Sequence, residues 1–555
     1  MLPIDDTSAT ADPVTPPKNI EATQTICARL PGSQPTSTSA ILTSRIADFD
    51  RELWRNAVNW HAYRVDPLSQ PEQAVFIEKY HREFFPDVHE RTEKIARLRT
   101  KLRDFHRLAE IAGTPLLLTL ICLVNRGESL PENRSELYLQ AAELLLHSWE
   151  LHHFAEEDVV RRKLLRPLPK LMKHAIMRRL AWLIMMGRPK NSKNPRQSLI
   201  APKDVSANQF EASIVQEAVR TVLTENHEPQ VEHYVELVPK LLVERNSVLC
   251  PSGKGEQSFI HRTFLEFYAA WAWNEENPPW MKQPRPLEMT PEQRFKALFA
   301  PHWQDPAWSV ILVLHCYQPK TPYAGRLVEQ LLAEGRLQRD RSAGASKTAD
   351  RMAGVLLYQE ALLLATEAFS EIQLRGTLAP LAGQLQQALG DLARSDYTVD
   401  GTPLKQDQSN EDHRRRAVRL YGQLWGFGGE DQPWLWEIVE DTEVSWAART
   451  EALRQLAELL GQNPRLRSRL EALASPAEPN DRVRMQAVGT LGTVWGQDEK
   501  LRGQLEHLAS AAEKDGNMRV QAIRTLGSVW GKDEKLRGLL EKLASAQEED
   551  RELRW

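Results

Sequence analysis

Along most of the chain apolar residues recur at intervals of three and four, the spacing that gathers them on one face of an α-helix. From Pro71 onward this period dominates. In "KIARLRTKLRDFHRLAEIAG" one face carries Ile95, Leu98, Leu102, Phe105 and Leu108, the other Lys94, Arg97, Lys101 and Arg107, and Gly113 marks a stop. "TPLLLTLICLVNRG" is apolar almost throughout and predicts a core helix, too short to span a bilayer. After the loop "ESLPEN", "RSELYLQAAELLLHSWE" places Leu137, Ala141, Leu144, Leu145 and Trp149 on one helix face. Another amphipathic helix is predicted from about Leu164 to Met186, and "GRPKNSKNPRQS" after it reads as a loop.

Strand patterning is sparse. "ILTSR", Ile41 to Arg45, reads as the end of a buried strand and is the one strong candidate before residue 240. "SVLCPSGKGEQSFI" has two short β-prone runs flanking Pro-Ser-Gly-Lys-Gly, a hairpin signal. It follows the helical runs "FEASIVQEAVRTVL" and "HYVELVPKLLVERN", an order that predicts a winged-helix-like domain. The first 40 residues are rich in Pro, Thr, Ser and Ala without an apolar period, so a disordered lead-in is expected.

The end of the chain repeats itself. "RMQAVGTLGTVWGQDEKLRGQLEHLAS" from Arg484 returns as "RVQAIRTLGSVWGKDEKLRGLLEKLAS" from Arg519, an offset of 35 residues. "RTEALRQLAELLGQNPRLRSRLEALAS" from Arg449 fits the same frame, and "RRRAVRLYGQLWG" from Arg414 is a fainter copy. Each copy is a helix with Ala and Leu on one face, a glycine, and a second helix carrying Leu470, Leu505 or Leu540. One such pair cannot bury its own apolar face, so the pairs are expected to stack as an α-solenoid. They resemble HEAT repeats. Trp495 and Trp530 share one phase of the repeat, which points to packing between repeats; exposed, they would be interface anchors.

Composition changes this picture little. The apolar fraction of 41% can fill more than one core, and a net charge of -4 gives no whole-molecule attraction to nucleic acid or anionic lipid. Cys27, Cys122, Cys250 and Cys316 are far apart and form no ligand cluster. With no basic-then-apolar leader at the N-terminus, these features lead to an expectation of a reduced, cytoplasmic protein without membrane insertion. No Walker A, nucleophile-elbow or H-E-x-x-H pattern is present. His152 and His153 before Glu156, Glu157 and Asp158 lack a second cluster to complete a metal site, so no metal is expected.

Three stretches, taken in order, resemble the latter part of a NACHT domain, in the STAND class of signal-transduction NTPases. They are "ILTSR", "LAEIAGTPLLLTLICLVNRGESLPENRSELYLQAAELLLHSW" and "LLVERNSVLCPSGKGEQSFIHRTFLEFYAAWAW", spanning roughly residues 41 to 273. The resemblance implies a mainly α fold, with NACHT-type helical lid and winged-helix domains followed by the HEAT-like solenoid. The boundaries it implies are a lead-in at 1–40, a remnant of the nucleotide-binding domain at 41–70, the lid at 71–155 and the winged helix at 156–275. A linker helical region at 276–410 and repeats at 411–555 complete the order.

The resemblance also implies roles. Arg45 would sense the γ-phosphate, Pro115 would pack on adenine, and His261 would reach the β-phosphate of ADP and latch the closed state. The P-loop and the Walker B strand, which lie upstream of the sensor arginine in that family, have no counterpart in the 40 residues before Ile41. The expectation is therefore a truncated or split signalling protein that works through protein interactions, with the repeats as sensor. Autonomous NTP hydrolysis is not expected, and ADP or ATP would bind only with a complementing P-loop, for instance on a companion chain. Two alternatives remain open. One is a pure solenoid scaffold without a nucleotide role. The other is a winged-helix nucleic-acid binder using Arg161, Arg162, Lys163, Lys170, Lys173, Arg178 and Arg179.

Overall fold

In a computed structural model the chain is mainly α-helical and divides into two compact units, Met1–Lys282 and Gln283–Trp555. The structure describes residues between 68 and 530, except 69, 105–110, 128–129, 132, 149–167, 187, 190–198, 201–207, 245–247, 252–255, 276–287, 395–397, 400–401, 404–407, 426–432, 497 and 511–514. The expected lead-in and the strand carrying Arg45 lie outside the described residues, as do His152, His153 and Cys27.

The first unit opens with helices α1 (Gln70–Phe84), α2 (Val88–Asp104), α3 (Pro115–Gly127) and α4 (Arg134–Glu143), the last running on into a π-helical turn. Leu98 and Leu102 of the expected α2 face are buried, as are Leu117, Leu118, Leu120 and Ile121 of α3. Helix α5 (Lys170–Met186) follows, then a two-residue ladder of β1 (Arg188–Pro189) with β2 (Leu199–Ile200). Strand β1 falls inside the stretch expected to be loop, and β2 follows directly after that stretch.

Next come β3 (Gln209–Glu211), α6 (Ala212–Glu225), α7 (Val231–Glu244), β4 (Leu249–Pro251), β5 (Glu256–Phe259) and α8 (Arg262–Glu275). The hairpin read from the sequence is β4 with β5, in register Leu249↔Phe259 and Pro251↔Gln257. Strand β3 was not foreseen, and it corrects the expectation of no strong strand between Arg45 and residue 240. Its three residues are too few to show a period, and they become a strand by pairing antiparallel with β5, giving the order β3-β5-β4. Pro251 sits on the edge strand β4, where its missing N–H breaks no ladder.

In the second unit a helical stretch over 291–302 leads to α9 (Ser309–His315), α10 (Thr321–Ala343), α11 (Thr348–Glu371) and α12 (Ala379–Arg394). By length and apolarity α11 could cross a membrane, but 67% of its most apolar window is buried here, against α9, α10 and α13 (Gln408–Trp425) among others. A two-residue ladder, β6 (Thr398–Val399) with β7 (Thr402–Pro403), links α12 to α13. Then come α14 (Pro433–Glu440), α15 (Trp446–Leu460), α16 (Pro464–Leu473), α17 (Asp481–Val494), α18 (Glu499–Ala509) and α19 (Gly516–Trp530).

The helices of the repeated segment pack by one rule. Helices α13, α15, α17 and α19 lie against one another in that order, while α14, α16 and α18 each pack on the helix that opens the following pair. Ala417, Ala452, Ala487 and Ala522, at intervals of 35, are all fully buried. Trp495, whose exposure would have made it an interface anchor, is buried, and Trp530 packs against the same core. The arginines at the same interval behave similarly. Arg449 donates to both Glu478 oxygens at 2.8 and 2.7 Å and to the Val439 carbonyl at 3.0 Å, with only 2% and 4% of the paired side chains exposed. Arg484 donates to Asp515 at 3.0 Å, and Asp515 also accepts the backbone N–H groups of Asn517 and Met518 in the first turn of α19. Position 413 breaks the pattern. Ala448, Val483 and Met518 are its apolar counterparts, whereas buried His413 bonds Gln359 at 2.7 Å and Glu360 at 2.6 Å on α11.

This packing sets the expected cost of substitutions in the repeats. A Cβ on Gly492 would lie 2.1 Å from the Thr525 methyl, and a β-branched side chain on a helix cannot turn away freely. Gly492→Val should therefore lower stability by about 2 kcal/mol or more, while Gly503→Ala, with nothing within 4 Å, should raise it by about 0.5–1 kcal/mol; thermal unfolding reads both. Arg449→Ala, which strands the buried Glu478 carboxylate, should destabilise by roughly 3 kcal/mol or more, whereas Arg449→Met with Glu478→Leu should lose far less. Denaturant titration of the single and double variants checks this.

Candidate functional site

Two of the three residues assigned to a nucleotide lie in the described part of the first unit. Pro115 is the first residue of α3 and is exposed. A proline there loses no bond, because the first N–H groups of a helix have no intrahelical partner. Thr114 contributes its carbonyl to Leu118 at 2.9 Å.

The far end of α3 is held tightly. Asn125, fully buried, accepts at Oδ1 from Arg97 Nε and Nη2, and its amide nitrogen donates to the Lys94 carbonyl at 3.2 Å. Arg97 also donates to the Asn125 carbonyl, and Lys94 Nζ to the Arg126 carbonyl, each at 2.9 Å. Lys94 and Arg97, two of the cations on the predicted basic face, thus cap the C-terminus of α3, where carbonyls lack partners and the helix dipole favours positive charge. The same Asn125 nitrogen lies 3.2 Å from Nε2 of buried His81, whose Nδ1 is 2.8 Å from the Ile77 carbonyl. Nδ1 must donate to that carbonyl and Nε2 must accept, so the network requires a neutral ring. Burial lowers the His81 pKa, Lys94 adds to the effect, and the bond to Ile77 opposes it.

His261 stands between β5 and α8, and the sheet fixes its approach. Ile260 N–H donates to the Val248 carbonyl at 2.8 Å, and Asn208 donates to the Phe259 carbonyl at 2.9 Å from a left-handed backbone, φ 53°. Asparagine tolerates that conformation better than most residues. Helix α8 is anchored on two sides. Trp273 meets Trp182 of α5 with ring centroids 5.0 Å apart, Tyr268 hydroxyl lies 3.0 Å from His174 Nδ1, and Phe264 and Phe267 pack against Tyr138 of α4. Phe264, Phe267 and Tyr268 are all buried, as core residues should be.

At the head of α8, His261 acts as the cap. Its Nδ1 accepts the backbone N–H of Thr263 at 3.3 Å and lies 2.9 Å from the Thr263 hydroxyl. The ring is half-buried, and burial lowers its pKa. Next to it Arg262 bonds buried Glu266 at 2.8 Å; burial raises the Glu266 pKa, and Arg262 and Arg134 work against that rise.

Helices α3 and α8 both pack against α4, yet no bond or ring contact joins His261 to Pro115; the ring of His261 bonds Thr263, and its carbonyl accepts the Phe264 N–H at 3.1 Å. Arg45 lies outside the described residues and so is not brought to either. Asn208 and Thr263, which seat His261, were missed in the sequence. Thr263 had a signal in its position two residues into a helix, and Asn208 had none, because it acts 51 residues away in sequence.

The candidate phosphate-binding cations on α5 are engaged within the unit. Lys170 pairs with Glu143, Lys173 donates to the Leu146 carbonyl, Arg178 pairs with Glu275 and lies over Trp271, and Arg179 forms two bonds to Glu225. Arg161, Arg162 and Lys163 lie outside the described residues. No group of three metal-ligating side chains occurs among the described residues. Cys122 and Cys316 are fully buried, and burial pushes both thiols up to about 12, leaving them unreactive. No family model and no curated protein matches this chain.

The lowered pKa of His81 has a signed consequence. The unfolded chain takes up the proton first, near pH 6.5, so stability of the first unit should fall as pH drops below about 6.5 and go on falling to the folded pKa. Hydrogen exchange in α1 and α3 should quicken between pH 7 and 5. His81→Gln, which does not titrate, should reduce that dependence, with the His261 share remaining.

Proposed function

We infer that this chain carries the latch and sensor parts of a NACHT-type signalling NTPase and acts through protein interactions in the cytoplasm. The observation that carries the reading is the seat of His261. In "FIHRTFLEFYAA" a titratable ring caps a buried helix at the end of a three-stranded sheet, with Nε2 engaged by no described residue. Serine, threonine, aspartate or asparagine caps a helix better than histidine, so a helix end alone gives little reason for a ring here. A ligand gives one. On this reading Pro115, exposed at the start of α3, would pack on adenine.

On this reading β3, β4 and β5 with α6 to α8 form the winged-helix domain, α1 to α4 belong to the lid, and α13 to α19 belong to a HEAT-like solenoid that senses a protein partner. The stacking of α13, α15, α17 and α19 with buried alanines and arginines at intervals of 35 supports the solenoid. ADP or ATP would be held only together with a P-loop supplied by a longer polypeptide or a companion chain, and hydrolysis by this chain alone is not expected. A scaffold role without nucleotide is the second reading, favoured by the continuous core of the repeats. Nucleic-acid binding through α5 is less favoured, since Lys170, Lys173, Arg178 and Arg179 already have protein partners.

Purification of the native protein from its source cells, with intact-mass and nucleotide analysis, tests the first reading. A P-loop-bearing companion or longer polypeptide should be found with ADP retained, and His261→Ala should reduce the retained ADP at least several-fold. A chain of this length alone, without companion or nucleotide, would leave the scaffold reading.

A further inference from the structure

The tautomer of His261 is set by its neighbour. A backbone N–H can only donate, and that of Thr263 is directed at Nδ1, so Nδ1 must present its lone pair. The Thr263 hydroxyl, at 2.9 Å, can rotate and donate to the same lone pair. The ring proton is then on Nε2, the atom that no described residue engages. A second proton on Nδ1 would face the Thr263 N–H donor to donor, and partial burial of the ring opposes the charged form as well. The nearby charges do not reverse this. Arg262 is bound to Glu266 at 2.8 Å, Arg134 acts on the same carboxylate, and Tyr138 of α4 packs on Phe264 through its ring.

We propose that Thr263 is a positioning residue for the site: it holds His261 as a neutral Nε2–H donor, so that the ring reads an ionised acceptor oxygen, such as a terminal phosphate oxygen, by a hydrogen bond and not as a cation. The ligand half of this proposal rests on the nucleotide reading above, whereas the tautomer and its dependence on Thr263 do not. A group that can only donate, such as a protonated amine, finds no acceptor at Nε2. Metal-bound histidines are oriented in a similar way, the bond made by one ring nitrogen deciding the task of the other.

Long-range proton–nitrogen correlation on the full chain with labelled histidine tests it at neutral pH without nucleotide. The signals of His261 among the 15 histidines are those lost in His261→Gln. The expected spectrum has a protonated Nε2 and a bare Nδ1. Thr263→Ala, which removes the closer contact, should lower the ratio of Nε2–H to Nδ1–H about five-fold, the worth of one net hydrogen bond. Thr263→Ser should restore the ratio, and unchanged thermal midpoints would exclude a folding defect. A proton on Nδ1 in the wild type, or a Thr263→Ala spectrum identical to the wild type, overturns the inference and leaves the nucleotide reading standing. Addition of ADP to the co-purified assembly should shift the Nε2 resonance of His261. No shift there, with the tautomer as expected, overturns the nucleotide reading and the ligand half of the proposal.

Discussion

A pair of antiparallel helices has two apolar faces and can cover only one of them by itself. In the second unit this constraint is met by handing the open face to the next pair, so that α14, α16 and α18 each lean on the first helix of their successor. Alanine at 417, 452, 487 and 522 lets the first helices approach closely, and Gly492 against Thr525 shows how little room is left. A larger residue at any of these positions would have to be absorbed by its neighbours in both directions, since close-packed interiors do not yield locally.

Close stacking makes the charged positions harder to satisfy. An arginine taken out of water needs its partner in place, and the partners come from the turns that start the following helices: Glu478 for Arg449, Asp515 for Arg484, and Asp498, which caps α18, for Arg467 of α16. One carboxylate therefore serves both as an ion-pair partner and, in Asp515 and Asp498, as a helix cap. Desolvation offsets much of the attraction in such pairs, so their larger effect is on register: a slip between repeats leaves a buried charge without its partner. His413 marks where this logic stops. It faces α11 and not another repeat, and polar bonds to Gln359 and Glu360 replace the apolar contact made at its equivalents. The bond from His413 is the first of the causes that hold the Glu360 carboxyl below its usual range.

In the first unit helix ends do comparable work. The C-terminus of α3 is closed by Lys94 and Arg97 and tied to His81 through Asn125, and the N-terminus of α8 is closed by a histidine ring. Capping by histidine is the less economical solution, which is why it draws attention as chemistry. It leaves one ring nitrogen committed to the backbone and the other turned to whatever enters.

The elements and their period were legible in the amino-acid order. Helical spacing, the hairpin around "PSGKG" and the 35-residue repeat are local or translational patterns, and each comes from residues that lie close in the chain or recur at a fixed interval. The same holds for the place of His261, where a strand gives way to a helix. The work of the polar residues was settled by tertiary contacts alone. Lys94, Arg97, Lys170 and Arg179 look alike on a helical wheel whether they face water or a carboxylate from a distant element, and here they face protein groups. Strand β3 and the Asn208 bond to Phe259 likewise exist through partners some 50 residues away, and Trp495 is buried because a neighbouring repeat covers it. Hydrogen bonding and burial are satisfied by whatever folding brings near, and that proximity is not written in any local stretch of sequence.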